Sequence, residues 1–315
     1  GRIDPDRPIG GKLERLDVTA AAAAIDAEVG ERLGLTTTEA AEAILRVANS
    51  RMAGAIRLVS IERGFDPKRF AFMPFGGGGA LHTGAMLKEV GIGRAIVPRY
   101  PGVTSAMGCV IADMRQDFVQ TVNALTSELD PATLRDVLQR HIDEGTTLLD
   151  AARSRFERRN VIVELDMAYV GQTHTVAVPL AVEVREGRAA APTVEQVECA
   201  FDTAYRATYG RLLPGGVRRV MNLRTAVIGR RPKFDLTSLA PAGGSVGTAR
   251  TGTRRVHFGT DWHDTAIYDR LALPVGAVVP GPAILVQPDT TVLIDPGLTG
   301  RVDRFGNTII APGEA

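Results

Sequence analysis

Cysteine is scarce in this sequence, basic residues form no clustered run, and long apolar stretches are missing. Only Cys109 and Cys199 occur among 315 residues, with no Cys-x-x-Cys spacing. That gives no basis for a disulfide framework or a thiolate metal site and fits a reducing, cytoplasmic setting. Both thiols have apolar sequence neighbours and are expected in the core. The 37 Lys and Arg residues balance 36 Asp and Glu, for a formal net charge of +1. Without a basic patch to neutralise phosphates, nucleic acid is not an expected partner. The longest apolar runs, such as Ala20 to Ile25, are Ala-rich and short of the ~20 residues of a spanning helix, so no membrane role is expected. His141, His174, His257 and His263 show no His-x-x-x-His or His-Glu spacing, and no metal site built by this chain is expected. The first residues carry neither an initiator Met nor a signal-peptide layout, so the chain is expected to begin inside a longer gene product.

What is present is an ordinary globular composition, 44% apolar and 23% charged, long enough for a large core and two domains. Asp17 is placed to cap a helix running to about Gly34, and Thr36 with Glu39 forms a capping box for a second helix ending near Gly64. On that second helix Leu45, Ala48, Met52, Ala55 and Val59 recur at three- and four-residue steps. Ile44, Val47, Ile56 and Leu58 widen the stripe, which predicts a helix buried against a sheet. The run Phe70 to Phe75, the four glycines Gly76 to Gly79, a helix to Val90 and Ala95 to Val97 predict strand, glycine loop, helix, strand.

A domain boundary is expected between residues 120 and 130. Beyond it, Asp130-Pro131 starts a helix whose apolar face is Leu134, Val137, Leu138, Ile142, Leu148, Leu149, Ala152 and Phe156. Val161, Val163, Leu165, Met167 and Tyr169 alternate as in a strand with one buried face. Thr193 and Gln196 predict another capping box for a helix to about Tyr209, followed by short strands, with Leu236 to Gly252 as an exposed loop. The two blocks expected are residues 1–125 and a β-rich 126–315.

Four glycines between a strand and a helix let a ligand approach the backbone closely, and the free amides at the helix start favour phosphate or ribose oxygens. A tight turn explains the same glycines. No Lys-Ser or Lys-Thr follows, so the loop is not a Walker phosphate loop.

Wider motifs bear on that choice. They are Asn49 to Pro67 (Asn-Ser-Arg-Met-Ala-Gly-Ala-Ile-Arg-Leu-Val-Ser-Ile-Glu-Arg-Gly-Phe-Asp-Pro), Phe75 to His82 (Phe-Gly-Gly-Gly-Gly-Ala-Leu-His), Pro101 to Gly108 and Ala112 to Asp117. With Tyr169 to Gln172, Tyr209-Gly210, Asn222 to Arg224 and Gly281 to Ile284, the sequence resembles the carboxy-terminal half of the hydantoinase A/5-oxoprolinase family over nearly its whole length. That family includes 5-oxoprolinase, N-methylhydantoinase, caprolactamase and the β-type subunits of acetone and acetophenone carboxylases. Departures from its pattern are Gly78 and Ala80, where relatives commonly read Ala and Pro, and Tyr205, where many carry His.

The resemblance implies an α/β chain: the second lobe of an actin/sugar-kinase/Hsp70-like ATPase fold (residues 1–125, adenosine side), then a β-rich α+β domain. It implies ATP and Mg²⁺ as cofactors, with Gly76, Gly77, Gly78, Gly79 and His82 toward the nucleotide. The acidic phosphate-gripping turns, and with them the Mg²⁺ ligands, are implied to lie outside this chain, in a missing amino-terminal lobe. The implied reaction is phosphorylation of a cyclic amide carbonyl for ring-opening hydrolysis with a hydantoinase B-like subunit. A ketone carboxylase subunit and a non-catalytic assembly subunit are the alternatives.

Single residues stay open. His82 either meets the nucleotide or the neighbouring lobe, or bonds to backbone at the helix start. Arg57, Glu62 and Arg63 fit an ion-pair network better than catalysis. Ser105 lacks a nucleophile elbow and is expected to cap a helix. Asp289-Thr-Thr291 and the Tyr169 strand are expected as core or subunit-contact positions.

Overall fold

Polar caps start the first helices where the sequence places them. The computed structural model describes residues 1–10, 14–241 and 243–313. The Asp17 side chain accepts from the Ala20 N–H and opens α1 (Val18–Ile25). One π turn (Asp26–Gly30) leads into α2 (Glu31–Leu33), which ends at a left-handed Gly34. Thr36 and Glu39 complete a reciprocal capping box on α3 (Thr37–Val59), and a short 3-10 turn carries the chain to left-handed Gly64. Next come α4 (Thr83–Val90), β1 (Ala95–Val97) and α5 (Thr104–Ile111).

Contacts divide the chain into two compact units, Gly1–Cys109 with Asp235–Ala315, and Val110–Phe234. These are not the consecutive blocks 1–125 and 126–315. The last strand of the chain is the ladder partner of β1, with Ala95 opposite Ile310 and Val97 opposite Thr308, so the carboxy-terminal segment belongs to the first unit.

The second unit is β2 (Met114–Leu125), α6 (Pro131–Ala151), β3 (Arg158–Tyr169), β4 (Val176–Leu180), the hairpin of β5 (Val184–Arg185) and β6 (Arg188–Ala189), α7 (Val194–Tyr209) and β7 (Arg218–Arg230). Its sheet runs β2-β7-β3-β4, antiparallel throughout. Asp130 caps α6, and the Thr193–Gln196 box caps α7. Leu134, Leu138, Ile142, Val197 and Phe201 from the helices pack on Val163, Leu165, Met167 and Leu223 of the sheet. At Gly145 a Cβ would stand 2.6 Å from the Val227 side chain, so the absence of one sets how closely α6 approaches the sheet. His141 is buried, bonded to Thr225 Oγ1 at 3.0 Å and stacked on Phe118. Two expected members of the α6 face differ: Leu148 is exposed, and Phe156 lies past the helix end with its ring over Gly229.

The remainder of the first unit is α8 (Val246–Ala249), β8 (Arg250–Phe258), β9 (Asp261–Asp269), β10 (Val278–Pro280), β11 (Ala283–Gln287), β12 (Thr290–Ile294), β13 (Leu298–Val302) and β14 (Thr308–Pro312). They form two sheets, β1-β14-β13-β10 and β12-β11-β9-β8, the second with β9 and β11 parallel. Their core contains Leu273, Val279, Leu285, Val292, Ile294 and Ile310. The stretch from Leu236 to Gly252 is not one loop: it holds a 3-10 turn, α8 with a fully buried Ala249, and the start of β8, while Ala242 lies outside the described residues.

Three further expectations change. Of α3 only Ala40, Asn49 and Ala53 are buried, and Ile44, Val47, Met52, Leu58 and Val59 are exposed, so its apolar stripe is not covered by a sheet. Phe70 to Phe75 does not form the expected strand and makes a single parallel bridge, Phe72 to Ala95. Pro74 and Pro98 supply no N–H to continue that ladder. Cys109 and Cys199 are both exposed, because each lies on the outward side of its helix.

Candidate functional site

The glycine loop is held by a turn that sequence alone marks only as core. Gly76 adopts φ +84°, where a side chain would be strained. Its N–H donates to the Pro101 carbonyl at 2.7 Å. Thr290, fully buried at the start of β12, donates its hydroxyl to the Gly77 carbonyl at 3.0 Å. Asp289 accepts from the Gly102 N–H at 3.0 Å. Gly77 is closed in by Ile9, whereas Gly78 has open space where a Cβ would stand. The loop is therefore fastened on one side and open on the other. Asp289 and Thr290 act as its clamp, while Thr290, Thr291 and Tyr169 are buried core positions as expected, Tyr169 in the other unit's aromatic core.

Arg270 supports the same region from below. Only 2% exposed, it donates to the carbonyls of Val97, Pro98 and Arg99, to Gln287 Oε1 and to Thr308 Oγ1. Burial pulls its pKa down to about 10, which leaves it charged at neutral pH. It fixes the chain leaving β1, two residues before the Pro101 carbonyl that receives Gly76. No local motif announces this role, because the arginine lies more than 170 positions from the carbonyls it holds.

Leu81 and His82, directly after the loop, face a cavity of about 550 Å³. Its walls are mostly apolar, from Val18, Ala21, Ile25, Ala41, Leu45 and Trp262, with Arg2, Glu42, His82 and His257 as polar groups. Arg2 and Glu42 pair at 3.0 Å. His82 Nδ1 lies 2.7 Å from Asn49 Oδ1 on α3, so its partner is a side chain and not helix-start backbone. Burial, then the charge of Arg2, holds the His82 imidazole below its ordinary pKa and hence neutral at pH 7. Near these groups Asp295 lies against Gly84, where any Cβ would overlap its carboxylate. Its Oδ1 is buried and has no partner among the described residues, and burial pushes its pKa up to about 6.

The remaining candidates do not gather here. Arg57 donates to the Glu89 carbonyl and joins α3 to α4, while Arg57, Glu62 and Arg63 are all exposed and form no ion pair among the described residues. Ser105 is the exposed second residue of α5, not its cap. Among the described residues no group of three His, Cys, Asp or Glu is placed to hold a metal ion, and no helix is long and apolar enough to cross a membrane.

Comparison with known proteins gives this geometry a family. The hydantoinase/oxoprolinase profile matches residues 1–118, and the hydantoinase/oxoprolinase C-terminal domain profile matches residues 143–309. An uncharacterised protein of Methanocaldococcus jannaschii is 30% identical over 95% of this chain and 41% of its own length. The caprolactamase subunit alpha of Pseudomonas jessenii is 28% identical over 97% of this chain and 44% of its own. Among solved structures, ATP-dependent caprolactamase from Pseudomonas jessenii matches with a TM-score of 0.72 at 26% identity, covering 99% of this chain and 45% of that one. A nucleotide-free structure of acetone carboxylase matches with a TM-score of 0.76 at 23% identity and the same coverage, a likeness of fold. The chain thus spans less than half the length of these relatives. Matched by the family's profiles through the glycine loop and again across most of the rest of its length, it belongs to the hydantoinase/oxoprolinase family.

Proposed function

We propose that this chain forms the adenosine-side wall of a nucleotide site in an ATP-dependent enzyme that activates the carbonyl of a cyclic amide for ring opening. The observation that carries this reading is the glycine loop clamped by Thr290 and Asp289, running directly into the cavity of about 550 Å³ faced by Leu81 and His82. That volume and its apolar lining suit a purine, and the open Gly78 leaves backbone amides within reach of ribose or phosphate oxygens. ATP, when bound, supplies the phosphoryl group that turns a carbonyl oxygen into a leaving group.

This chain's own residues would position the nucleotide. Neutral His82, oriented by Asn49, offers one nitrogen toward the base or sugar. The Arg2–Glu42 pair supplies charge to the cavity lining, and residues of α1 and α3 supply most of its apolar wall. In this reading the first unit belongs to an actin/sugar-kinase/Hsp70-like lobe. The Mg²⁺ ligands and phosphate-gripping turns come from the polypeptide the relatives carry outside the matched region, and water attack takes place with a hydantoinase B-like subunit.

Calorimetric titration of ATP with Mg²⁺ tests the reading, first into the chain alone and then with the polypeptide encoded directly upstream of it. The expected result is tight binding and lactam-stimulated hydrolysis in the mixture, weakened about tenfold by His82→Ala. Absence of binding in both cases overturns it. Turnover with a ketone and bicarbonate, but not with a lactam, would move the assignment to ketone carboxylation.

A further inference from the structure

The two passages of the chain into and out of the second unit, residues 111–113 and 230–233, line one hollow of about 770 Å³ together with the start of β3. Six of its lining residues are charged: Arg158, Arg230, Arg231 and Lys233 against Asp113 and Glu157. Arg158 stands directly opposite Arg230 in the β3–β7 ladder, so two guanidinium groups leave the same face from neighbouring strands, an arrangement that repels. A single carboxylate answers them. Asp113, one position before the β2 residue that pairs with Gly229, accepts from the Arg230 side chain and, at 3.0 Å, from the Arg231 N–H. The Arg231 guanidinium is fixed further by donating to the Val110 carbonyl at 2.7 Å. Among the described residues Arg158, Arg231 and Lys233 form no ion pair, and the Nε of Arg230 is buried without a partner. Glu157 spends its backbone N–H on the Arg230 carbonyl at 2.8 Å and leaves its carboxylate unpaired.

We propose that this hollow binds a small solute bearing phosphate groups, with Arg158, Arg231 and Lys233 as its ligands and the Asp113–Arg230 pair as the frame that fixes Arg231. Exposed cations are ordinarily solvated one at a time, whereas these converge on one concavity of the size that small-molecule sites have. Guanidinium forks fit the oxygens of a phosphate in pairs, and an anion seated between Arg158 and Arg230 would replace their mutual repulsion with two attractions. Three cations without a carboxylate exceed what one carboxylate group on a solute neutralises, which favours a diphosphate or a phosphate ester of comparable charge. No residue of the hollow belongs to the cavity beside His82, so the inference stands apart from the nucleotide reading.

Calorimetric titration of pyrophosphate into the full chain, without nucleotide or Mg²⁺ and against sodium chloride at the same ionic strength, tests the site. Binding by the unaltered chain is expected, weakened about tenfold by Arg158→Gln and by Arg231→Gln and about threefold by Lys233→Gln, an exposed position beyond the last strand of the unit. Glu157→Gln, which removes the unpaired carboxylate, should tighten binding about threefold. The opposed pair gives a second readout that does not depend on the heat of binding. Without anion, Arg158→Gln should melt at a higher temperature than the unaltered chain, because it relieves the repulsion; pyrophosphate should raise the melting temperature of the unaltered chain and not that of the variant. Three outcomes overturn the proposal: no binding at millimolar pyrophosphate, an effect that chloride at equal ionic strength reproduces, or binding that survives the Arg158, Arg231 and Lys233 variants unchanged.

Discussion

The helices α3 and α6 have similar lengths and similar apolar periodicity, yet they are anchored in different ways. α6 buries Leu134, Leu138 and Ile142 in its own unit's core, and Leu149 is fully buried as well. α3 buries two alanines and Asn49, leaves Ile44, Val47, Leu58 and Val59 in contact with solvent, and is tied down by polar groups: Glu42 to Arg2, Asn49 to His82 and Arg57 to the Glu89 carbonyl. Periodicity states that a face will be buried, but not whether the partner belongs to the same piece of chain. Each unit carries a core of its own. The unit with the glycine loop presents apolar surface, in keeping with a chain that spans less than half of its relatives' length.

The sharpest way to break this contrast is to truncate one leucine on each helix. Leu149→Ala should cost about 3 to 4 kcal/mol in chemical denaturation, because the site is fully buried, whereas Leu58→Ala should cost less than about 0.5 kcal/mol. Equal costs would mean that the α3 face is covered after all.

A smaller effect should appear at Asp295. Its folded pKa of about 6 exceeds the ordinary value of 3.8, so the folded state holds the proton more tightly. The favourable contribution is fully present in acid and is lost as pH rises from about 4 to about 6, with a ceiling of roughly 3 kcal/mol. Asp295→Asn should stabilise the protein by about 2 kcal/mol at pH 7 and flatten the pH dependence of denaturation in that window. An unchanged slope would show that the carboxyl finds a partner.

Thr290→Val keeps the shape of the buried side chain and deletes the hydroxyl that holds the Gly77 carbonyl. It should cost about 1 to 2 kcal/mol in stability and speed amide exchange at Gly76 to Gly79. No change in exchange would show that the loop does not depend on that clamp.

The smallest effect concerns the polar anchor of α3. In a double-mutant cycle of His82→Ala and Asn49→Ala, a coupling of roughly 1 kcal/mol is expected near pH 7. Because burial holds the imidazole pKa below its unfolded value, His82 should lower stability as the pH falls below about 6.5. A coupling near zero at pH 7 would leave α3 without this anchor.

Much of the local structure was legible from residue types. The boxes Thr36–Glu39 and Thr193–Gln196, the Asp130-Pro131 start and the alternation through Val163, Leu165 and Met167 follow from hydrogen-bonding and packing rules that act within a few residues. The family was legible as well, because its motifs are contiguous. Cys109 and Cys199 were misjudged because apolar neighbours in sequence do not specify which side of a helix a residue takes.

By itself, then, the sequence determined the helix starts, the glycine loop and the family, all properties of short stretches of chain. Only the tertiary structure decided that the carboxy-terminal strands complete the sheet of β1, that Thr290 and Asp289 clamp a loop more than 200 positions earlier, and that Arg270 gathers three consecutive carbonyls. Those contacts depend on which distant groups the fold brings within hydrogen-bonding reach, and a pattern read along the chain carries no record of that distance.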